Sequence, residues 1–160
     1  MRVVVDASPV IALSHIGRLN ILRDLYGSVV IPDSVRRELL AGEGRHPTSD
    51  ELAGAEWIVA EPDPTDMALR KELGAGETAA IVLAYKTKAD LVILEDLQAR
   101  LVADGLGLAI TGTLGVLVAA YKKGMIADLS AALADLQTTG FRISPKLLTV
   151  LQATSTERTR

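Results

Sequence analysis

A chain of 160 residues and 17.0 kDa fits one domain that can bury a core without staples, and the absence of cysteine excludes a disulfide framework, a thiolate zinc site and a thiol nucleophile. A net charge of -3 argues against a general nucleic-acid coat, which needs a basic face, and an aromatic content of 3% removes base stacking as the main binding mode. Neither excludes a nuclease, because clustered carboxylates lower the net charge while bound cations restore local attraction for phosphate.

The chain opens Met1-Arg2-Val3-Val4-Val5-Asp6, too short an apolar stretch for a signal peptide, and no later segment reaches the roughly 20 apolar residues of a membrane span. The expectation is a soluble cytoplasmic protein with no membrane partner. Short Val/Ile/Leu runs then alternate with longer helical patterns, the signal of a parallel sheet covered on both faces. The predicted strands are Arg2–Val5, Ser28–Ile31, Glu56–Val59, Leu91–Leu94 and Leu108–Thr111. The fold class expected is therefore α/β, a single three-layer domain with a five-stranded parallel sheet and helices on both faces.

Ser8-Pro9 reads as a cap followed by proline at the first helical position, opening a helical region through Leu13 that could continue from Arg18 to Leu25. Pro32-Asp33-Ser34 opens a helix over Val35–Leu40, ended by Gly42-Glu43-Gly44, with a mobile loop expected from Glu43 to Asp50. Pro62-Asp63-Pro64 marks a break before a helix from Thr65 to about Leu73. Further helices are expected over Glu77–Lys86, Gln98–Asp104, Thr113–Lys123 with Thr113 as cap, Asp128–Leu136 and Pro145–Leu151. The domain is placed at residues 1–153, and 154–160 read as a polar, frayed tail.

In open α/β sheets ligands sit outside the carboxyl ends of the strands, so acidic residues at those ends carry the most information. Asp6 directly follows the first predicted strand, and Glu95-Asp96 follow the fourth. Both aspartates could instead cap helices, although Ser8 stands ready to cap the first. Glu38 lies at the edge of the Val35/Leu39 face, where a solvated glutamate is the plainer reading. Glu77 opens an apolar helix and shares its face with Ile81 and Ala84; a favourable charge at a helix N-terminus is its competing role. Taken together, four carboxylates could meet at one edge, and such a group needs a divalent cation to offset its repulsion. Oxygen-only donors suit Mg²⁺ or Mn²⁺ better than zinc, and a metal site of that kind hydrolyses phosphodiesters with an activated water. His15 and His46 are expected to be ordinary surface or packing residues.

Several motifs carry a family resemblance. Val5-Asp6-Ala7-Ser8-Pro9-Val10-Ile11-Ala12-Leu13, followed by Ile31-Pro32 and Val35-Arg36-Arg37-Glu38-Leu39, resembles the opening of a PIN domain. Gly74-Ala75-Gly76-Glu77-Thr78-Ala79-Ala80-Ile81 resembles that family's third acidic motif, and Ile93-Leu94-Glu95-Asp96 with Ala99-Arg100 its fourth. Thr111-Gly112-Thr113-Leu114-Gly115-Val116-Leu117 is similar to the last strand and helix of a PIN-like branch. The resemblance implies a Mg²⁺-dependent endoribonuclease acting on an RNA substrate, with catalytic and metal-binding roles for Asp6, Glu38, Glu77 and Asp96. Ser8, Glu95, Thr111 and Thr113 would be neighbouring polar groups. It also implies a toxin of a toxin–antitoxin pair, with a small antitoxin partner, and a homodimer. Glu77 stands where many members have aspartate, and the longer arm shifts its carboxylate outward, which bears on a cation that demands near-octahedral ligands.

Two rival readings remain at this level. One is a catalytically weak or inactive module of the same fold that binds nucleic acid or protein. The other is a phosphoryl-transfer domain, which fits poorly: Ser8 stands where a phosphatase wants a second aspartate, and Thr111-Gly112-Thr113 where a receiver wants lysine. Lys86, Lys88, Arg100, Lys122 and Lys123 could steer RNA, Arg100 and Lys86 foremost, although charges at helix ends are usually just solvated.

Overall fold

The computed structural model describes residues 1–42, 47–65 and 72–159. In chain order the elements are β1 (Val3–Val5), α1 (Ala7–His15), α2 (Ile21–Tyr26), β2 (Val29–Pro32), α3 (Asp33–Ala41), α4 (Ser49–Gly54), β3 (Ile58–Glu61), α5 (Ala75–Lys86), β4 (Leu91–Ile93), α6 (Leu97–Gly105), β5 (Ile110–Thr111), α7 (Thr113–Lys122), α8 (Leu129–Thr138) and α9 (Pro145–Thr159). The five strands form one sheet in the order β3-β2-β1-β4-β5, and every neighbouring pair is parallel.

Side-chain alternation explains why short, unbroken apolar runs became these strands. Val3 and Val5 enter one buried cluster together with Val29, Ile31 and Ile93, against residues of α1, α2, α7 and α8. Val4 enters the opposite cluster with Val92 and Leu94, against α5 and α6. A strand with helices on both faces has no side left for polar residues, so its hydrophobic run shows no period of two. Val4, Val5, Leu13, Leu22, Ile93, Leu94 and Leu117 are fully buried, and each such side chain contributes about 1.5–3 kcal/mol of transfer free energy.

The strand order places the functional edge. The chain builds β1, β2 and β3 outward in one direction, then crosses to β4 on the other side of β1. Helices therefore diverge from the carboxyl ends of β1 and β4, leaving the crevice in which ligands of such sheets bind.

Several boundaries differ from the sequence expectation. α1 begins at Ala7, so Asp6 occupies the cap position and Pro9 the third helical residue, where a missing N–H leaves no intrahelical bond unmade. The second helical stretch starts at Ile21 instead of Arg18. β3 sits two residues later than predicted because α4, capped by Thr48, extends to Gly54 and the Ile58 N–H is tied back to the Ala55 carbonyl. β5 is shortened to Ile110–Thr111 because the Leu108 N–H returns to the Ala103 carbonyl at the end of α6, around Gly107 at φ 79°. Gly112, not Thr113, holds the cap position of α7. α9 continues beyond Leu151 as far as Thr159. His46, half of the predicted loop from Glu43 to Asp50 and most of the helix predicted after Thr65 lie outside the described residues. Among the described residues no helix is long and apolar enough to cross a membrane.

Candidate metal centre

Asp6 is held at the crevice by the sheet itself, because its backbone N–H donates to the Ile93 carbonyl at 3.1 Å and extends the β1–β4 ladder by one residue. Its side chain is 4% exposed and makes no capping hydrogen bond to α1. A carboxylate in that position is costly when charged. Burial raises its pKa most; the Ala7 N–H pulls the other way, and Glu77, Glu38 and Asp96, in that order, add repulsion. The result lies at about 7 instead of 3.8.

Glu38 reaches the same place from α3, whose Val35 and Leu39 are buried against the core while Glu38 stays on the exposed side of that face. The meeting point is Gly76, in the first turn of α5. A Cβ there would lie 3.1 Å from Glu38 Oε2, 3.3 Å from Val35 Cγ2 and 3.5 Å from Asp6 Oδ1. The missing side chain thus lets the α5 backbone close over both acids. Glu77, next in the chain, accepts the Gly74 N–H at 3.2 Å through one carboxylate oxygen, which satisfies an orphan donor of the helix start. Asp6, Ser8, Ser34, Glu38 and residues 74–77 line a cavity of about 300 Å³.

Asp96 stands at the cap of α6, where one oxygen accepts the Ala99 N–H at 2.9 Å. It is exposed, and of the three flanking acids it acts least on Asp6. Of the two roles weighed from sequence, the cap is the one the geometry shows, and Asp96 is not among the residues that line the acidic cavity. Among the described residues, no three His, Asp or Glu side chains stand close enough, as placed, to hold one ion. The donor set nevertheless suits a hard divalent cation: every candidate ligand is a carboxylate oxygen, and the buried one is charged at neutral pH only at a cost that a cation would offset.

The neighbouring polar groups divide. Ser8 lines the acidic cavity and is exposed. Glu95 turns away toward α7, where its carboxylate accepts the Thr113 N–H in a short hydrogen bond. Thr111 packs its hydroxyl over Gly115. Thr113 is fully buried, and its Oγ1 has no hydrogen-bond partner among the described residues. Replacing Thr113 by valine removes that hydroxyl at nearly constant volume, so stability in urea melts is expected to rise by about 1 kcal/mol; a loss of that size would show that the hydroxyl is bonded in solution. Of the two cations singled out for steering, Arg100 adjoins the site through α6. Lys86 does not: it lies nine residues beyond Glu77 on α5, about 14 Å along the helix axis and away from the crevice.

Sequence reasoning missed how three residues are tied together at the start of α3. Ser34 donates through both its N–H and its hydroxyl to Asp63 Oδ1, each at 3.0 Å, and Arg37 donates to the other oxygen at 3.0 Å. Burial opposes the charge on Asp63, but these bonds hold its pKa below the usual value, and together they pin the start of α3 that carries Glu38. Pro62-Asp63-Pro64 signalled only a break. A larger cavity of about 450 Å³, bordered by Ser14, Arg23, Glu51 and Trp57, lies at the amino ends of the strands and contains none of the four acids.

Comparison with known proteins agrees with this architecture. A family model described as "DUF3368: PIN domain" matches residues 2–157. The structure is similar to that of a PilT N-terminus domain protein from the hyperthermophilic archaeon Sulfolobus solfataricus P2, with 20% sequence identity, a TM-score of 0.59, and coverage of 74% of this chain and 92% of that one. At that identity the likeness concerns the fold alone. No curated protein gives a significant match.

Proposed function

The chain belongs to the PIN-domain family, whose members are typically metal-dependent nucleases, and from that premise we propose that it is a Mg²⁺- or Mn²⁺-dependent endoribonuclease. The observation that carries the reading is a buried aspartate at the topological switch point, its pKa raised to about 7 by burial first and then by the charges of Glu77, Glu38 and Asp96. Asp6, Glu38, Glu77 and Asp96 would hold the cation, with Glu38 and Glu77 turning inward over Gly76 from partly exposed positions. When bound, the ion supplies charge neutralisation at the scissile phosphate and a water of lowered pKa.

The chain's own groups do the rest. To serve as a ligand Asp6 would have to give up its proton, which would make cation binding pH-dependent. Glu38 and Glu77 would orient the attacking water and receive its proton, and Asp96, one oxygen of which is held by its capping bond to Ala99, would contribute the other. Ser8, at the rim, is within the same cavity as a donor to a phosphate oxygen. The test is cleavage of single-stranded RNA and of the matching DNA, each with Mg²⁺, Mn²⁺ or EDTA. RNA cleavage that EDTA abolishes is expected. Cleavage insensitive to EDTA, or none at saturating metal, would count against the proposal.

The same proposal extends to the toxin half of a toxin–antitoxin pair, restrained by a small protein partner, and to a homodimer in the cytoplasm. Growth arrest on expression of the wild type but not of Asp6→Asn is the expected result; equal growth would sink the toxin reading while leaving the nuclease intact.

A further inference from the structure

A third cavity, of about 370 Å³, opens at the carboxyl ends of β4 and β5, and its walls include Glu95, Arg100, Thr111, Gly115 and Arg142. Two arginines from distant parts of the chain thus face one space. Arg100 is fixed there: its Nε donates to the Leu94 carbonyl at 2.9 Å, and its distal nitrogen lies so close over Gly112 that a Cβ at that position would overlap it. Arg142 comes from the turn between α8 and α9 and is exposed. Neither arginine forms a carboxylate ion pair among the described residues, where the pairs are Arg2–Glu61, Arg23–Asp24 and Arg37–Asp63.

Glu95 also borders this space, but its carboxylate is engaged by the Thr113 N–H at the start of α7. The two guanidinium groups therefore outweigh it by one charge. Leu114 and Gly115 line the same wall, so the first turn of α7 adds the positive end of a helix. In a chain of net charge -3, two arginines without a carboxylate ion pair, one of them four positions after Asp96, are a local exception that a polyanion would find.

We infer that this cavity is a phosphate subsite, in which Arg142 and Arg100 hold a phosphodiester of the substrate strand other than the one being cleaved. Planar guanidinium forks suit phosphate oxygens in pairs, and Glu95 on this cavity's wall is followed in the chain by Asp96, whose charge acts on Asp6 in the acidic cavity, so one strand can reach from one to the other. The inference rests on the endoribonuclease reading and names where its substrate is gripped.

The test compares wild type, Arg142→Ala and Arg142→Lys for binding a fluorescein-labelled single-stranded RNA by anisotropy. Ca²⁺ replaces Mg²⁺, being a hard cation that takes the same oxygen ligands. Arg142 lies outside every strand and helix, so its replacement spares the fold, which a thermal melt checks. Arg142→Ala is expected to weaken binding about 5- to 10-fold and to lower the slope of log Kd against log salt by about 0.7, one contact's worth on a single strand. In Mg²⁺, KM should rise by the same factor with kcat unchanged, and Arg142→Lys should recover only part of the loss. Wild type that binds and an alanine variant with unchanged affinity and slope would overturn the subsite alone. Wild type that neither binds nor cleaves RNA would overturn the nuclease reading along with it.

Discussion

Asp6→Asn is expected to reduce RNA cleavage by at least about 100-fold, since even groups that merely support a metal ligand cost 10- to 100-fold when removed, and at the same time to make the metal-free protein more stable. The second effect follows from the raised pKa. Below pH 3.8 the folded and unfolded chains both carry the proton, and the site costs nothing. Between 3.8 and about 7 the unfolded chain releases it while the folded one retains it, so stability falls as pH rises. By pH 8 the loss from this one group is on the order of 4 kcal/mol. Asparagine keeps the shape and never charges. Melts of the two proteins in EDTA should therefore coincide near pH 4 and diverge at pH 8, with the variant melting higher. Mn²⁺ should then raise the melting temperature of the wild type and leave the variant where it was. Coincident melts at pH 8, or equal stabilisation of both by Mn²⁺, would mean that Asp6 is neither strained nor a ligand.

Gly76→Ala should separate the site from the scaffold, and Gly74→Ala provides its control. A methyl at Gly76 meets Val35 Cγ2 at 3.3 Å and Glu38 Oε2 at 3.1 Å. Val35 is completely buried and has nowhere to go, whereas Glu38 is exposed and swings aside. The carboxylate that shares the point with Asp6 is then displaced, and the helix start is pushed off β1. A drop in Mn²⁺ affinity and in cleavage of about 10-fold is expected, with about 1–3 kcal/mol of stability lost to overpacking. A methyl at Gly74 has only Glu77 Oε2 within reach, at 3.9 Å, so Gly74→Ala should cost no more than the modest preference of a cap position for glycine. Equal activities in the two variants would show that the close approach over Gly76 is not what assembles the acids.

Much of the frame was legible because burial writes itself locally. Val3–Val5 and Leu91–Ile93 are unbroken apolar runs because each strand has helices on both faces, and the acids that follow them, Asp6 and Asp96, stand at the carboxyl edge as a parallel sheet requires. Glu38 and Glu77 could be placed on helices from their spacing to Val35, Leu39 and Ile81. The boundaries that moved were those governed by contacts across the chain. β3 starts where Val29 offers it a partner at Ile58, and β5 is cut short by the bond from Leu108 back to Ala103.

What each carboxylate does was decided by tertiary structure. Nothing adjacent to Glu95 in the chain marks it as the acceptor for Thr113, eighteen positions away, and nothing near Arg142 points to Arg100. Gly76 reads as a turn residue until α5 is laid across Asp6 and Glu38, which lie 70 and 38 positions before it. Hydrophobic period and strand-end position are properties of a few consecutive residues, so the sequence by itself determined the layers, the parallel sheet and the edge where charge gathers. Separations of 3–4 Å between groups tens of residues apart depend on strand order and helix packing. Only the folded molecule decided that Asp6 is buried among Glu77, Glu38 and Asp96, and that burial, with the repulsion added to it, is what shifts its proton affinity.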